Sequence, residues 1–354
     1  MFLRNAWYVA AWTEEVTDEP LARTLLGEHI VLFRTAEGVT AALQDRCCHR
    51  AAALSMGKVV KDGLMCGYHG LVFNSAGKCV DVPGQSRIPE GARVRSYPTV
   101  EKNEFVWIWM GEKEKADPSL IVDYPYHDDH KNWPHKHAIL RVQCNYTLLV
   151  DNLMDMTHVA YVHSQTIGGN PQAHQKASMK TTRTPNGVKY IRWLLDSVPP
   201  PTYVEAVGFK GNVDRWMEFE FYSPSNVLMF TGALDANTGA YDQGKREGGF
   251  ALRIFHGITP ETETTSFYFW AAGNGYRPDD PKATEKLHEQ IEFTFAEDKV
   301  FIEEQQKRIA EIDQTALVDI ESDGARIQMA RFLKKKIDAE NAERSIAQNG
   351  LVRA

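Results

Sequence analysis

The chain has 354 residues, with 40 lysine and arginine side chains against 47 aspartate and glutamate side chains, and a net charge of −7. This length predicts two domains of roughly 150 residues or more, and a hydrophobic content of 43% excludes disorder as the main state. The absence of a basic cluster interleaved with aromatic residues argues against a nucleic-acid partner. Without a signal-peptide pattern or a long apolar run, the sequence predicts a cytoplasmic protein with no membrane partner.

Short β-type runs separated by turn residues fill the chain up to about residue 116. They cover residues 30–33, 39–43, 71–73 and 105–109. The charged stretch that ends at Pro118 has the composition of a linker. We therefore predict an all-β domain over residues 1–118 and a second domain over residues 119–354.

The second domain combines β-type runs with three segments of helical spacing. The β-type runs cover 216–222, 227–230, 250–256 and 266–272, and the helical segments cover 147–162, 283–312 and about 322–345. Because the β-type runs follow one another without regular intervening helices, we expect an antiparallel sheet. The predicted fold class is α+β, with helices flanking that sheet.

Cysteine and histidine are paired on two short segments of the first domain. Cys47 and His49 form a Cys-x-His pair, and Cys66 and His69 form a Cys-x-x-His pair further along the chain. A structural zinc finger typically pairs Cys with Cys and His with His, whereas a Rieske [2Fe–2S] centre uses two cysteines on one iron and two histidines on the other. The spacing predicts the Rieske cluster; a zinc ribbon, or four residues that never meet, is the alternative.

The remaining cysteines, Cys48, Cys79 and Cys144, are interpreted as packing residues. An odd and sparse set of cysteines is not typical of a disulfide framework.

A second group of polar residues lies in the segment 151–163. On a continuous helix, Asn152, Asp155 and His158 would form one polar row. His163 lies five residues beyond His158, which turns a helix by about 140°. The two histidines can therefore bind one metal ion only if the helix ends or distorts near Tyr161.

The segment 283–312 offers a third metal ligand. Its apolar stripe includes Asp298, and a carboxylate in a buried stripe is costly unless it is paired or bound to a cation. His158, His163 and Asp298 would form the two-histidine, one-carboxylate triad of non-haem Fe(II) oxygenases. The alternative is that Asp298 pairs with Lys299 or a nearby arginine.

Three residues are candidates for substrate contacts. His256 ends an apolar row of a predicted strand and could hydrogen-bond a phenol or a carboxylate; a backbone carbonyl is the alternative partner. Leu153 and Met154 flank the predicted metal row. The loops 164–180 and 234–249 are candidates for gating the pocket.

Together, these motifs resemble the oxygenase component of the Rieske non-haem iron oxygenases, over nearly the whole chain. The resemblance is strongest to the vanillate O-demethylase, dicamba demethylase and toluenesulfonate methyl-monooxygenase branch. It rests on RNAWYVAA from Arg4, CCHR from Cys47, GYHGL from Gly67, VWIWMG from Val106, VDNLMDMTH from Val150 and ITPETE from Ile258.

The resemblance implies roles for individual residues. It implies that Cys47, His49, Cys66 and His69 bind the Rieske [2Fe–2S] cluster, and that His158, His163 and Asp298 bind the mononuclear Fe(II). Asp155 matches an aspartate that accepts hydrogen bonds from His158 and from His69 of an adjacent subunit. Asn152 matches a polar residue beside the iron. A helix-grip catalytic domain and a homotrimer are also implied.

The resemblance further implies an enzyme that places one oxygen atom of O2 on a methyl or methoxy carbon of an aromatic acid. Electrons would come from a separate NAD(P)H-dependent reductase of the flavin and [2Fe–2S] type. A ring cis-dihydroxylating dioxygenase would use the same ligands, and an electron-transfer protein with a non-catalytic binding domain would use the cluster alone. An anionic substrate would need a local polar or basic contact that composition does not reveal.

Overall fold

The computed structural model describes residues 1–312 and 317–352, with side chains described up to residue 346. The chain forms two compact units: the first holds Met1–Asp123 and Thr259–Glu263, and the second holds Tyr124–Ile258 and the chain from Thr264 onward. The first unit extends past Pro118 to Asp123, because the segment around Pro118 is bonded to the strands of this unit. Trp7 donates its indole N–H to the carbonyl of Asp117 at 2.8 Å, and Lys102 pairs with Asp123 at 3.0 Å.

The first unit is built from eleven short strands and short 3-10 turns, as the sequence predicts. Its strands form three sheets, in the orders β1-β11-β10, β2-β3-β4-β9 and β5-β6-β7-β8. The strands are β1 Trp7–Trp12, β2 Leu21–Leu25, β3 Glu28–Arg34, β4 Thr40–Gln44, β5 Lys58–Val60, β6 Gly63–Met65, β7 Val72–Phe73, β8 Cys79–Asp81, β9 Ser96–Tyr97, β10 Thr99–Lys102 and β11 Phe105–Trp109.

The second unit is built on one seven-stranded sheet in the order β12-β18-β17-β16-β15-β14-β13. The pairs from β13 to β17 are antiparallel, as is the pair of β12 with β18, which confirms the predicted antiparallel sheet. The strands are β12 His137–Val142, β13 Ser178–Thr184, β14 Gly187–Ser197, β15 Val213–Tyr222, β16 Asn226–Asp235, β17 Phe250–Pro260 and β18 Ser266–Asn274.

Six α-helices complete the described part of the second unit. They are α1 Tyr146–Leu153, α2 Val159–Val162, α3 Pro171–Gln175, α4 Pro201–Val207, α5 Pro281–Ile309 and α6 Gly324–Val352. Helix α5 begins where the Asp280 carboxylate accepts hydrogen bonds from the amides of Lys282 and Ala283, with Pro281 in its first turn. It packs against β12, β18 and α1. Among the described helices, none combines the length and the hydropathy that a bilayer span demands.

The prediction of one helix over 147–162 is wrong, because the chain leaves the helical path between α1 and α2. The Asp155 carboxylate accepts hydrogen bonds from the amide N–H of Thr157 at 2.8 Å and from its hydroxyl at 2.7 Å. This local bond competes with helical hydrogen bonding and starts a new turn. Asn152, Asp155 and His158 therefore do not form one row on a continuous helix.

Candidate metal centres and substrate cavity

Two loops of the first unit repeat the same backbone geometry around their cysteines. The amide of Cys47 donates to the carbonyl of Ala52, and the amide of Cys66 donates to the carbonyl of Leu71, each at 2.8 Å. The fourth residue after each cysteine, Ala51 or Gly70, adopts a left-handed conformation and donates back to the cysteine carbonyl. Two matched tight turns therefore present one cysteine and one histidine each.

The loops lie so close to the neighbouring backbone that glycine is required. A Cβ on Gly67 would lie 2.5 Å from the carbonyl oxygen of Met56, and one on Gly57 would lie 2.0 Å from that of Met65. These approaches exclude any side chain without backbone movement.

The four candidate ligands differ in exposure. Cys47 and Cys66 are 3% and 2% exposed, whereas His49 and His69 are exposed and have ring centroids 4.6 Å apart. Burial raises the pKa of the Cys47 thiol to about 11, so the thiolate needs a bound cation to predominate at neutral pH. Two buried sulfurs and two adjacent surface imidazoles are a donor set that fits a Rieske cluster.

The three cysteines outside the candidate cluster differ in exposure. Cys79 and Cys144 are fully buried, as expected of packing residues, but Cys48 is exposed. The interpretation of Cys48 as a packing residue is wrong, because its side chain is exposed although the neighbouring Cys47 is buried.

The second unit brings His158, His163 and Asp298 together. The Asp298 Oδ1 atom lies 3.5 Å from His158 Nε2 and 3.1 Å from His163 Nε2. One ligand atom from each residue lies within 4.8 Å of the others. Helix α2 ends at Val162, which turns His163 back toward His158 as the sequence required. The donor set fits a metal ion that keeps coordination positions open.

The second nitrogen of each imidazole is held by an acceptor. His158 Nδ1 lies 2.6 Å from the backbone carbonyl oxygen of Asp155, and His163 Nδ1 lies 2.8 Å from Oε2 of Glu297. These bonds leave both Nε2 atoms directed at Asp298 and fix the tautomer of each ring. Sequence reasoning missed Glu297; its position directly before Asp298 was the available signal.

The two candidate histidine ligands have opposite pKa shifts. Burial lowers the pKa of His158, which favours the neutral imidazole that metals bind. Burial also acts to lower the pKa of His163, but hydrogen bonds and charges from Asp298 and Glu297 outweigh it, and the pKa is raised. Without a cation, the pair of carboxylates therefore favours a proton at His163, where a metal ion would supply the positive charge instead.

Asn152 and Asp155 take different places around this centre. Asn152 Nδ2 donates to Asp298 Oδ1 at 3.1 Å, so Asn152 orients the carboxylate. The expectation that the Asp155 carboxylate accepts from His158 differs from the structure. Its backbone carbonyl takes that role, while the carboxylate accepts from Thr157.

An apolar cavity opens beside the three candidate metal ligands. Its walls are mainly apolar side chains from β15, β16, β17 and α5, with Leu153 and Met156 from the metal-bearing segment. Met154 is not among the lining residues; it caps the end of α1, where the chain turns, and is buried elsewhere. Of the two candidate gating loops, 164–180 contributes Ile167 and 234–249 contributes no lining residue.

His256 is the most enclosed polar residue of the cavity. It is 0% exposed, and its Nδ1 lies 2.6 Å from the hydroxyl of Tyr268 rather than from a backbone carbonyl. Its Nε2 has no hydrogen-bond partner among the described residues. Burial lowers its pKa to about 3, so the ring is neutral at physiological pH. One nitrogen is therefore available to a group in the cavity.

Comparison with known proteins identifies both units. Residues 6–98 match the Rieske [2Fe–2S] domain family, and residues 142–339 match the vanillate O-demethylase oxygenase C-terminal domain family. The iron-sulfur subunit of a toluene-4-sulfonate monooxygenase system from Comamonas testosteroni is 39% identical, over 96% of this chain and 99% of that protein.

Two further relatives agree with this result. The vanillate O-demethylase oxygenase subunit of Pseudomonas sp. strain HR199 is 35% identical, over 96% of each chain. A crystal structure of dicamba monooxygenase bound to 3,6-dichlorosalicylic acid is similar with a TM-score of 0.90 at 33% identity, covering 96% of this chain and 99% of that one. The chain therefore belongs to the Rieske non-haem iron monooxygenases of the vanillate O-demethylase type, as an oxygenase component with a Rieske [2Fe–2S] cluster and a mononuclear non-haem iron.

Proposed function

We propose that this chain is the terminal oxygenase of an aromatic-acid monooxygenase that oxidises a methyl or methoxy carbon of its substrate. The observation that carries the proposal is the position of His158, His163 and Asp298 beside an apolar cavity. A cavity lined mainly by apolar and aromatic side chains suits an aromatic ring. The relatives named above act on toluene-4-sulfonate and vanillate, which are aromatic acids with such substituents.

The cavity residues would hold and orient the ring. Phe219, Ile254 and Phe295 form apolar walls that exclude water from the reacting carbon. His256 would donate or accept a hydrogen bond through Nε2 to a polar substituent of the ring, and Leu153 would contact the ring beside the metal centre. These contacts fix which substituent faces the candidate metal ligands.

The metal-bearing residues would prepare the centre for oxygen chemistry. His158, His163 and Asp298 would hold the iron, and Cys47, His49, Cys66 and His69 would hold the cluster. When bound, these groups supply O2 activation and electron delivery. Asn152 would keep the Asp298 carboxylate in place, and Glu297 would keep His163 oriented.

The overall reaction balances with an external reductant. For a methoxy substrate, O2, two electrons and two protons give the phenol, formaldehyde and water, and the electrons come from a separate NAD(P)H-dependent reductase of the flavin and [2Fe–2S] type.

We also propose a homotrimer in the cytoplasm. In it, Asp155 of one subunit would accept a hydrogen bond from His69 of the next, which suits the exposed position of His69.

The test is a reconstituted assay with a purified reductase, NADH and a panel of methylated and methoxylated benzoates and benzenesulfonates. Product, formaldehyde release and oxygen uptake are measured together. Replacing Asp298 or His158 with Ala should abolish product while the visible Rieske spectrum is retained. Asp242→Ala, at an exposed loop position, is the control and should keep full turnover.

Three results would contradict the proposal. Full turnover by both metal-ligand variants would refute the assigned centre. A cis-dihydrodiol product would identify a ring dioxygenase instead. Iron analysis near two rather than three atoms per chain, with no product from any substrate, would identify an electron-transfer protein.

A further inference from the structure

One arginine lines the cavity beside the metal centre. Arg215 lies on β15, where the alternation of the strand places it in one row with Met217 and Phe219, and all three line the cavity. The side chain is 2% exposed. A permanent positive charge thus lies within an otherwise apolar row.

The guanidinium of Arg215 is poorly satisfied by the protein. Its one hydrogen bond among the described residues runs from Nη1 to the carbonyl of Gly168 at 3.2 Å, and its Nε is buried without a partner. The Cζ atom lies 4.8 Å from the centre of the Tyr203 ring, which supports the group from one side. A guanidinium carries five N–H donors, so most of them remain available.

No carboxylate of the described residues lies within ion-pair distance of Arg215. A second buried arginine lies on the same face of the sheet: Arg192 of β14 pairs opposite Met217 of β15 and donates to the carbonyls of Met156 and His174. Burial and then the charge of Arg215 lower the pKa of His174 to about 3. A buried cation without a counter-charge is costly, so this site favours an anion from outside the chain.

The sheet register separates Arg215 from His256. Phe221 of β15 pairs with Val227 of β16, which in turn pairs with His256 of β17. Arg215 lies six residues before Phe221 on β15. The two positions are therefore roughly 20 Å apart along the strands and roughly 10 Å apart across them. A single aromatic ring cannot bind both side chains through the same substituent.

We propose that Arg215 is the specificity residue for an organic anion, binding the carboxylate or sulfonate of the aromatic substrate through its unpaired guanidinium N–H groups. His256, which the register places roughly 20 Å away along the strands, is not part of this anion site. The inference rests on the proposed function for the identity of the substrate, but not for the existence of the anion site.

The test measures ligand binding to the purified holoenzyme by calorimetry. Benzoate and benzenesulfonate are compared with their uncharged counterparts, benzamide and benzenesulfonamide. Arg215→Met should weaken binding of the anions by about ten- to hundredfold and leave the uncharged ligands within about twofold. Arg215→Lys keeps the charge and should lose less. The anion that binds the wild-type protein more tightly identifies the preferred head group.

Arg253→Met is the matched control. Arg253 is a half-buried arginine of the same sheet, but it lies on β17 between the cavity-lining Leu252 and Ile254 and so faces the opposite side. Its guanidinium lies 3.9 Å from the ring centres of Tyr126 and Phe230. This variant also removes a half-buried arginine from the sheet and should keep the wild-type ratio of anion to uncharged-ligand affinity.

The ratio of the two affinities decides the question, because a purely structural role of Arg215 would weaken both ligand classes alike. An unchanged ratio in Arg215→Met, or wild-type protein that binds neither anion, would overturn the proposal. If Arg215→Met does not fold, the comparison of Arg215→Lys with Arg215→Gln gives the same readout. Loss of anion binding in a protein that proves to have no monooxygenase activity would support the anion site and refute the proposed function.

Discussion

His163 Nδ1 lies 2.8 Å from Oε2 of Glu297, while Nε2 of the same ring faces Asp298. Two adjacent acidic residues of α5 thus contact opposite nitrogens of one buried imidazole. Glu297 fixes the ring and its tautomer, and Asp298 completes the set of metal-binding side chains. Helix α5 therefore both supplies one metal-binding side chain and orients the imidazole of another, His163.

Removing the Glu297 carboxylate should weaken the mononuclear iron site without affecting the cluster. We expect Glu297→Ala to lower the affinity for Fe(II) by about ten- to hundredfold, because an acceptor that orients a metal-binding histidine contributes about that much. Fe(II) titration of iron-depleted protein measures the change, with the visible Rieske spectrum as an internal reference. Glu304→Ala on the exposed side of α5 is the control, and equal Fe(II) affinity in both variants would contradict the assignment.

Features that depend on residues close together in the chain could be predicted from the sequence. The strand at Phe105–Trp109 matches its predicted run, and the paired spacing of cysteine and histidine locates two loops with the same backbone geometry. The triad of His158, His163 and Asp298 could also be predicted, because a carboxylate in the apolar stripe of α5 is costly without a cationic partner.

Two features of the site could not be predicted from the sequence pattern. The break after Leu153 arises from a local bond between Asp155 and Thr157 in a segment whose residues otherwise favour a helix. Arg215 appears in the sequence as one charge beside an apolar run. Its position on the wall of the cavity is known only from the folded sheet, because several strands and helices together form that wall.

Burial of His174 should make the protein acid-sensitive. Its pKa is lowered from 6.5 to about 3, mainly by burial, so between these values the unfolded chain binds a proton that the folded chain does not. The stabilising contribution is present above about pH 6.5 and is lost as the pH falls toward 3, at up to about 1.4 kcal/mol per pH unit.

Urea unfolding at pH 7, 6 and 5 tests this expectation. His174→Gln removes the titrating group, so its free energy of unfolding should fall less steeply with decreasing pH than that of the wild type. His29→Gln replaces an exposed histidine of β3 and should follow the wild-type slope. Parallel slopes for wild type and His174→Gln would show that the buried imidazole does not control acid stability.

Adding one methyl group at Gly67 should prevent assembly of the cluster loop. The Cβ of Gly67→Ala would lie 2.5 Å from the carbonyl oxygen of Met56, which is backbone and cannot rotate away. We expect loss of most of the Rieske absorbance and of two iron atoms per chain, while the catalytic unit still binds Fe(II). Gly211→Ala, where no atom lies within 4 Å of the added Cβ, should retain both. A full Rieske spectrum in Gly67→Ala would show that this close approach is dispensable.

Asp155 offers the sharpest test of communication between the two iron centres. Asp155→Asn removes the negative charge but keeps an oxygen that accepts from the amide of Thr157, so the turn before α2 should form as in the wild type. We expect both irons to load normally, and re-oxidation of the reduced cluster by O2 and substrate in a single turnover to slow by about ten- to hundredfold. Rapid mixing with absorbance detection follows the cluster directly. Asp242→Asn, which neutralises an exposed loop residue, provides the comparison. Wild-type re-oxidation in Asp155→Asn would show that the carboxylate has no part in electron transfer, and that Asp155 serves only as the cap of a turn.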